Sequence, residues 1–313
     1  MARIISGTDI SREIRAGIAE GVAALGEEGI KPTLAAVLVG SDPASEVYVR
    51  NKAQACQRVG MGSRTLNLPE DIEVDELFGA IDGLNADPQI HGILVQLPLP
   101  RHLPYKQVLN RVAPHKDVDG FHPLNAGLSF VGDPEGFVPA TPAGIMKILE
   151  WEKVPTHGKH AVIVGRSLIV SKPLASLLMA PGPNATVTLT HKYTVDLASH
   201  TRMADILIVA VGKPGLITAD MVKPGVVVID AGTTRVVDPE GKPRYRIAGD
   251  VDFEGVSEVA AAITPVPGGV GPMTITMLLS NTLEAARRTS GATSSTLPEA
   301  LVGSGKRGRR SSS

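Results

Sequence analysis

In the stretch SEVYVRNKAQAC, residues 45–56, Ser45, Tyr48 and Lys52 recur at i, i+3 and i+7. A helix would place them on one face. Aromatic residues are only 3% of the chain, so a tyrosine one turn before a lysine asks for an explanation. The face is either a solvated stripe or an amine held in a site with an aromatic wall for a flat ligand. In a site, desolvation depresses a lysine's pKa, and a neutral amine accepts or relays a proton. Gln96 interrupts the apolar run LVQLPLP. An enclosed glutamine needs hydrogen-bond partners, from core backbone or from a site at the carboxyl end of a strand. The loop HKDVDGFHPLNAG (115–127) brings Asp117 and Asp119 together. Aspartates there shape turns, or one of them grips an amidine-like N–C–N edge through two parallel hydrogen bonds. The run ITPVPGGVGPMT (263–274) centres on Pro267 and Gly268. It is a connector, or a rigid loop whose backbone approaches a ligand closely.

A second kind of chemistry is written in VIVGRSLIVSKP (162–173), a strand, a glycine turn and a helix start. Backbone N–H groups and a helix dipole receive phosphate in such a setting. Only Gly165 and Ser167 occupy the first two places of a G-x-G-x-x-G fingerprint, so the motif alone fits a nucleotide turn or an ordinary one. The next strand ends in LTHK, with His191 and Lys192 where an NAD-binding chain places an acid for the ribose hydroxyl. With Arg166 in the first turn, this basic set fits the 2′-phosphate of NADP; the alternative is that Arg166 and Lys192 are surface charges.

Helices and strands must alternate to position these residues. Ile10, Ile14, Ile18, Val22 and Leu25 recur at helical spacing after the cap candidates Thr8 and Asp9. Strands are predicted at 33–40, 64–68 and 92–100, with helices between them. A second α/β set begins near residue 140, with Thr141 as N-cap and Pro142 at the first helical position. Its strands are the apolar runs 159–165, 185–191, 204–212 and 226–230, the composition of a parallel sheet covered on both faces. A last helix has Met273, Met277 and Leu278 on its buried side. The expectation is an α/β protein of two α/β domains with the active-site cleft between them, the second domain a Rossmann-like doubly wound parallel sheet. Residues 1–139, completed by helix 273–290, form the first domain, 140–272 the second, and 291–313 a disordered tail.

Composition narrows the class. The chain has 313 residues, 43% hydrophobic and 20% charged, with a formal net charge of −1. That is a soluble globular profile with no overall field for nucleic acid. One cysteine fits a reducing cytoplasm, and Cys56 reads as a small buried hydrophobe. The first residues turn polar too soon for a signal peptide, and no apolar run approaches the ~18 residues of a membrane helix. The eight histidines form no H-E-x-x-H or comparable set, so no metal is expected.

Taken together, the Tyr-x-x-x-Lys helix, the V-Q-L-P-L-P strand, the K-D-V-D-G loop, the G-R-S-x-I-V turn and the T-P-V-P-G-G-V-G-P-M-T loop occur in order over residues 45–274. This set resembles the bifunctional methylenetetrahydrofolate dehydrogenase/methenyltetrahydrofolate cyclohydrolase family. The resemblance implies NADP-dependent oxidation of 5,10-methylenetetrahydrofolate, then hydrolysis to 10-formyltetrahydrofolate. It implies Lys52 as the central catalytic group and Gln96 as its hydrogen-bonding neighbour. Tyr48 stacks on the folate, Asp119 binds the pterin edge, and Ser45, Pro267 and Gly268 join the substrate site. Gly165, Arg166, Ser167, His191, Lys192 and Thr141 hold the cofactor, and a homodimer forms through the dinucleotide half. Two positions depart from the family pattern: Ser171 stands where a glycine is usual, adding a side chain near the cofactor's phosphates, and Lys192 replaces a common serine. Alternatives are a homologue with one of the two activities, another NADP dehydrogenase on the same fold, or a folate-binding scaffold without turnover.

Overall fold

The chain opens with strand β1 (Arg3–Ile4) and helix α1 (Gly7–Glu27). The cap of α1 is Ser6, whose hydroxyl accepts from the Asp9 amide at 3.2 Å, so Thr8 and Asp9 lie inside the helix and are not its cap. Then β2 (Thr33–Val39), α2 (Pro43–Arg58), β3 (Gly62–Leu68), α3 (Val74–Ala86) and β4 (Gly92–Val95) alternate. Two short helices, α4 (Tyr105–Arg111) and α5 (Pro123–Val131), lead to α6 (Ala140–Trp151). After α6 come β5 (His160–Val164), α7 (Ser171–Met179), β6 (Thr186–Thr190), α8 (Leu197–Thr201), β7 (Ile206–Val209) and β8 (Val227–Asp230). An antiparallel ribbon of β9 (Thr234–Val237) and β10 (Tyr245–Ala248) follows, then α9 (Phe253–Ser257), β11 (Ala262–Ile263) and the long α10 (Val270–Ser290). This computed structural model describes residues 1–237 and 245–290, and the predicted tail 291–313 lies outside the described residues.

Two parallel sheets result, as strands separated by helices require. One has three strands in the order β3-β2-β4; the other has six in the order β1-β11-β8-β7-β5-β6. The central strands β5, β7 and β8 are almost wholly buried runs of Val, Ile and Leu. In register, Val164 lies beside Val209 and Val209 beside Asp230, so the residues after these strands emerge together along one rim.

Three expectations change. The strand at the amino terminus, unseen in the sequence because it is two residues long, pairs with β11, so Arg3–Ile4 belong to the six-stranded sheet and not to the first half. Helix α6 starts at Ala140 with Pro139 at its cap position, which puts Thr141 within the first turn. Helix α10 starts at Val270, three residues before the expected 273: proline has no amide to lose in a first turn, so Pro272 continues the helix. Along α10, Met273 and Leu278 are buried and Met277 is half-buried. The helix packs against both α1 and α6, and one apolar core runs from Ile10 and Ile14 through Met273 and Leu279 to Ile163 and Leu174. The two sheets are thereby held as walls of one cleft. No helix among the described residues is long and apolar enough to cross a membrane.

Candidate active site

Helix α2 presents the first wall. Its cap, Asp42, accepts from the Ser45 amide and the Ser45 hydroxyl, both at 2.8 Å, and these bonds hold its carboxyl below the usual range. Ser45 is therefore buried in the cap and does not line the cleft, although it shares a helical face with Tyr48. Tyr48, 42% exposed, and Lys52 do line it. Lys52 Nζ donates to Gln96 Oε1 at 3.2 Å. Gln96 is the first residue beyond β4, held by its amide's bond to the Val37 carbonyl at 2.9 Å. Its Nε2 donates to the Leu97 carbonyl at 2.7 Å, which fixes the side-chain amide with its oxygen toward the amine. The chain then turns away at a cis Leu97–Pro98 bond.

Asp119 completes this wall. Burial pushes its carboxyl above the ordinary value, the positive charge of Lys52 pulls it back, and Asp117 pushes it further up. The neighbouring Asp117 has a different task. It is buried and accepts from the Phe121 and His122 amides at 3.2 and 2.8 Å and from Asn125 Nδ2 at 2.9 Å. Those bonds shape the loop that presents Asp119. Opposite, the loop before α10 carries a cis Val266–Pro267 bond and Gly268 at φ +105°, a conformation that favours glycine. The Gly268 carbonyl accepts from the Thr8 amide at 3.0 Å, tying the loop to α1. Pro267 and Gly268 both line the cleft, whose volume is about 1080 Å³.

The second wall is the rim of the six-stranded sheet. Gly165 has φ +135°, and a Cβ there would sit 2.5 Å from the Ala210 carbonyl, so only glycine allows the turn. The Ser167 hydroxyl accepts from the Val170 and Ser171 amides at 3.1 and 3.2 Å, capping α7 while its own hydrogen remains free to donate. Ser171 does not face the cleft as its position in the motif suggested. It is fully buried beneath Gly165, and its hydroxyl makes no hydrogen bond. Around Tyr193, Arg166 Cζ lies 5.4 Å and Lys192 Nζ 4.9 Å from the ring centroid, and His191 meets the ring edge-on. The His191 amide donates to Thr194 Oγ1 at 2.9 Å. Thr141, from α6, has its hydroxyl 3.1 Å from that of Thr274 on α10, in the lining between the two walls.

Two buried aspartates, missed in the sequence because each sits at the end of an ordinary apolar strand or turn, brace this rim. Asp230 accepts from the Gly232, Asp250 and Val251 amides at 2.8–3.1 Å. Asp250 accepts from the Val211 and Gly212 amides at 2.7 and 3.0 Å. Burial, opposed by the backbone bonds and aided by Asp250, raises Asp230 to about 6. Arg15 and Arg58 also line the cleft and were likewise not singled out.

The residues present fit NADP. The Gly165 turn has no room for a side chain, the Ser167 hydroxyl caps α7 just after it, and the end of β6 offers cations without a carboxylate. Among the described residues no three His, Cys, Asp or Glu side chains cluster to hold a metal ion.

Residues 5–119 match the tetrahydrofolate dehydrogenase/cyclohydrolase catalytic domain, and residues 139–290 match the NAD(P)-binding domain of the same enzymes. The chain belongs to the tetrahydrofolate dehydrogenase/cyclohydrolase family. Bifunctional protein FolD 1 of Myxococcus xanthus is 68% identical over 289 residues, 92% of this chain and 99% of that protein. The crystal structure of a bifunctional FolD from Campylobacter jejuni is 46% identical and superposes with a TM-score of 0.87, covering 92% of this chain and 99% of that one. A Trypanosoma brucei FolD, solved with NADP cofactor and an inhibitor, is 38% identical with a TM-score of 0.88, covering 92% and 98%.

Proposed function

We infer that this chain oxidises 5,10-methylenetetrahydrofolate to the 5,10-methenyl form with NADP⁺ and hydrolyses that to 10-formyltetrahydrofolate. The observation that carries the reading is the 3.2 Å contact of Lys52 with Gln96, beside Asp119, in a cleft whose lining reaches Ile169 and Val170, the residues between the Gly165 turn and α7. Gly165, Ser167, Arg166, Lys192, His191 and Thr141 would hold the cofactor; when bound, its nicotinamide accepts the hydride of the bridging methylene carbon. Asp119 grips the aminopyrimidinone edge and Tyr48 covers the flat part of the substrate. These two contacts set the N5–C–N10 bridge against Lys52. In the hydrolysis, water adds to the methenyl carbon and the Lys52 amine takes its proton. As an ammonium, Lys52 returns that proton to N5 while the C–N5 bond breaks. The second hydroxyl proton leaves to solvent, and N10 keeps the formyl group. Gln96 keeps the amine aimed through both transfers.

The product is a formyl donor, which puts the enzyme in one-carbon metabolism, with purine biosynthesis as a consumer. A cytoplasmic location is supported by the single cysteine, Cys56, which is free and buried. A homodimer through the dinucleotide half is supported by the β9–β10 ribbon, which carries exposed Val237 and Tyr245. For the domain division at 139/140, with α10 completing the first half, the support is the packing of α10 on α1, which stands beside its packing on α6 of the second half. The test is a spectrophotometric assay with methylenetetrahydrofolate and NADP⁺ or NAD⁺, followed through to the formyl stage. Wild-type protein completes both steps, and Lys52→Met loses about 10²- to 10⁴-fold in hydrolysis. Unimpaired hydrolysis by Lys52→Met would refute the assignment.

A further inference from the structure

In the six-stranded sheet β11, β8, β7 and β5 are successive neighbours, and side chains tie their exits together. The chain leaving β11 becomes the loop of Pro267 and Gly268, which lines the cleft; the chain leaving β5 is the Gly165 turn. At the first exit, Thr264 Oγ1 accepts from the Asp230 amide at 2.8 Å. Asp230 ends β8, and its Oδ1 accepts from the Gly232 amide at 2.8 Å and the Asp250 amide at 3.1 Å. Asp250 carries the row to the exit of β7: its Oδ2 accepts from the Val211 and Gly212 amides at 2.7 and 3.0 Å. The Ala210 carbonyl beside them is the group that leaves Gly165 no room for a Cβ. A continuous row thus runs from the folate-side loop to the cofactor turn, with two carboxylates as its middle links.

Those links oppose folding as well as aid it. Both carboxylates are buried, and Asp250 Oδ1 has no hydrogen-bond partner among the described residues. A buried carboxylate oxygen left unpaired is destabilising. The backbone nevertheless wraps closely around both groups. A Cβ at Gly232 would sit 2.5 Å from Asp250 Oδ1, and one at Gly249 would overlap the Asp230 carboxylate. Asp250 does not line the cleft, whereas Asp230, Gly232 and Thr233 do. It therefore touches neither ligand but fixes the loops on either side. We propose that Asp250 is a positioning residue for hydride transfer: acting through Asp230, it sets the separation between the cofactor turn at Gly165 and the loop of Pro267 and Gly268. This rests on the folate reading above. Hydrolysis uses Lys52, Gln96 and Asp119 on the other wall, so it does not need this register.

The test compares wild type with Asp250→Ala and Asp250→Asn. Alanine removes the link. Asparagine keeps an oxygen for the Val211 and Gly212 amides and puts its NH₂ where Oδ1 lacks a partner. Dehydrogenase kcat, cyclohydrolase kcat on methenyltetrahydrofolate without cofactor, and the calorimetric Kd of NADP⁺ are measured separately. Asp250→Ala lowers dehydrogenase kcat about 10- to 100-fold, raises the NADP⁺ Kd only about threefold and leaves cyclohydrolase kcat within about twofold. Asp250→Asn returns dehydrogenase kcat to within about threefold of wild type. Thr264→Val breaks the far link, lowers dehydrogenase selectively in the same way, and decides the matter should Asp250→Ala not fold. Equal losses of both activities in a variant that still unfolds cooperatively overturn the proposal. So does a wild-type dehydrogenase kcat in Asp250→Ala, or an Asp250→Asn as impaired as Asp250→Ala. A wild-type protein that turns over neither folate substrate overturns the folate reading, and this assignment with it.

Discussion

Lys52 and Gln96 orient each other: the amide oxygen of Gln96 accepts from the amine, and its NH₂ is tied to the Leu97 carbonyl. Removing the amide leaves the amine in place but unaimed. Gln96→Ala should therefore cut cyclohydrolase kcat by about 10- to 100-fold with a smaller change in KM; a kcat equal to wild type would show that the contact does not position Lys52. Asp230 gives a pH signature. Its folded value of about 6 lies above the unfolded one, so between roughly pH 4 and 6 the native state holds a proton that the unfolded chain has released. Its contribution to stability thus falls as pH rises through that window. Denaturant titrations should show the stability of wild type minus that of Asp230→Asn falling by about 2–3 kcal/mol from pH 4 to 6.5. A flat difference would mean that Asp230 is not raised. At this scale the shared cleft position of Tyr48 and Lys52 was legible from helical spacing and that of Gln96 from a polar residue in an apolar run, whereas Asp119 was set apart from Asp117 only by the family resemblance. Ser45 was misread because periodicity assigns a face but cannot say that an N-cap aspartate captures the hydroxyl. Asp230 and Asp250 were missed because a strand-terminal acid looks like a solvent-facing loop residue until the neighbouring amides are seen around it.

Elements explain what each half needs. The Gly165 turn tolerates no Cβ, whereas hydrolysis of the methenyl compound requires no nicotinamide. Gly165→Ala should raise the NADP⁺ KM by an order of magnitude or more (about 10-fold) and reduce cyclohydrolase activity far less. Equal losses in both activities would show a general folding defect. At the end of β6, Lys192→Ala should raise the NADP⁺ KM about fivefold and leave that for NAD⁺ nearly unchanged; equal effects would remove Lys192 from the 2′-phosphate contact. The alternation of elements was readable from hydrophobic period, since buried parallel strands must be continuous Val, Ile and Leu. The start of α10 was not, because glycine and proline at 271 and 272 signal a loop and only packing on α1 and α6 carries the helix through them.

At the scale of the molecule, one core joins the sheets, so contacts do not cease between the two matched domains. The two-walled arrangement followed from counting α/β units. The exchange of the amino-terminal strand did not, because two residues carry no periodic signal and their pairing is decided by a strand far along the chain. That pairing has a consequence for assembly. Arg3 and Ile4 are among the first residues made, yet their neighbours Ala262 and Ile263 come near the end, so this edge of the sheet closes late, as a clasp whose hook is forged before its eye. A polypeptide started at residue 6 would lack that closure. It should unfold at a lower temperature and bind NADP⁺ more weakly, even though no atom removed lines the cleft.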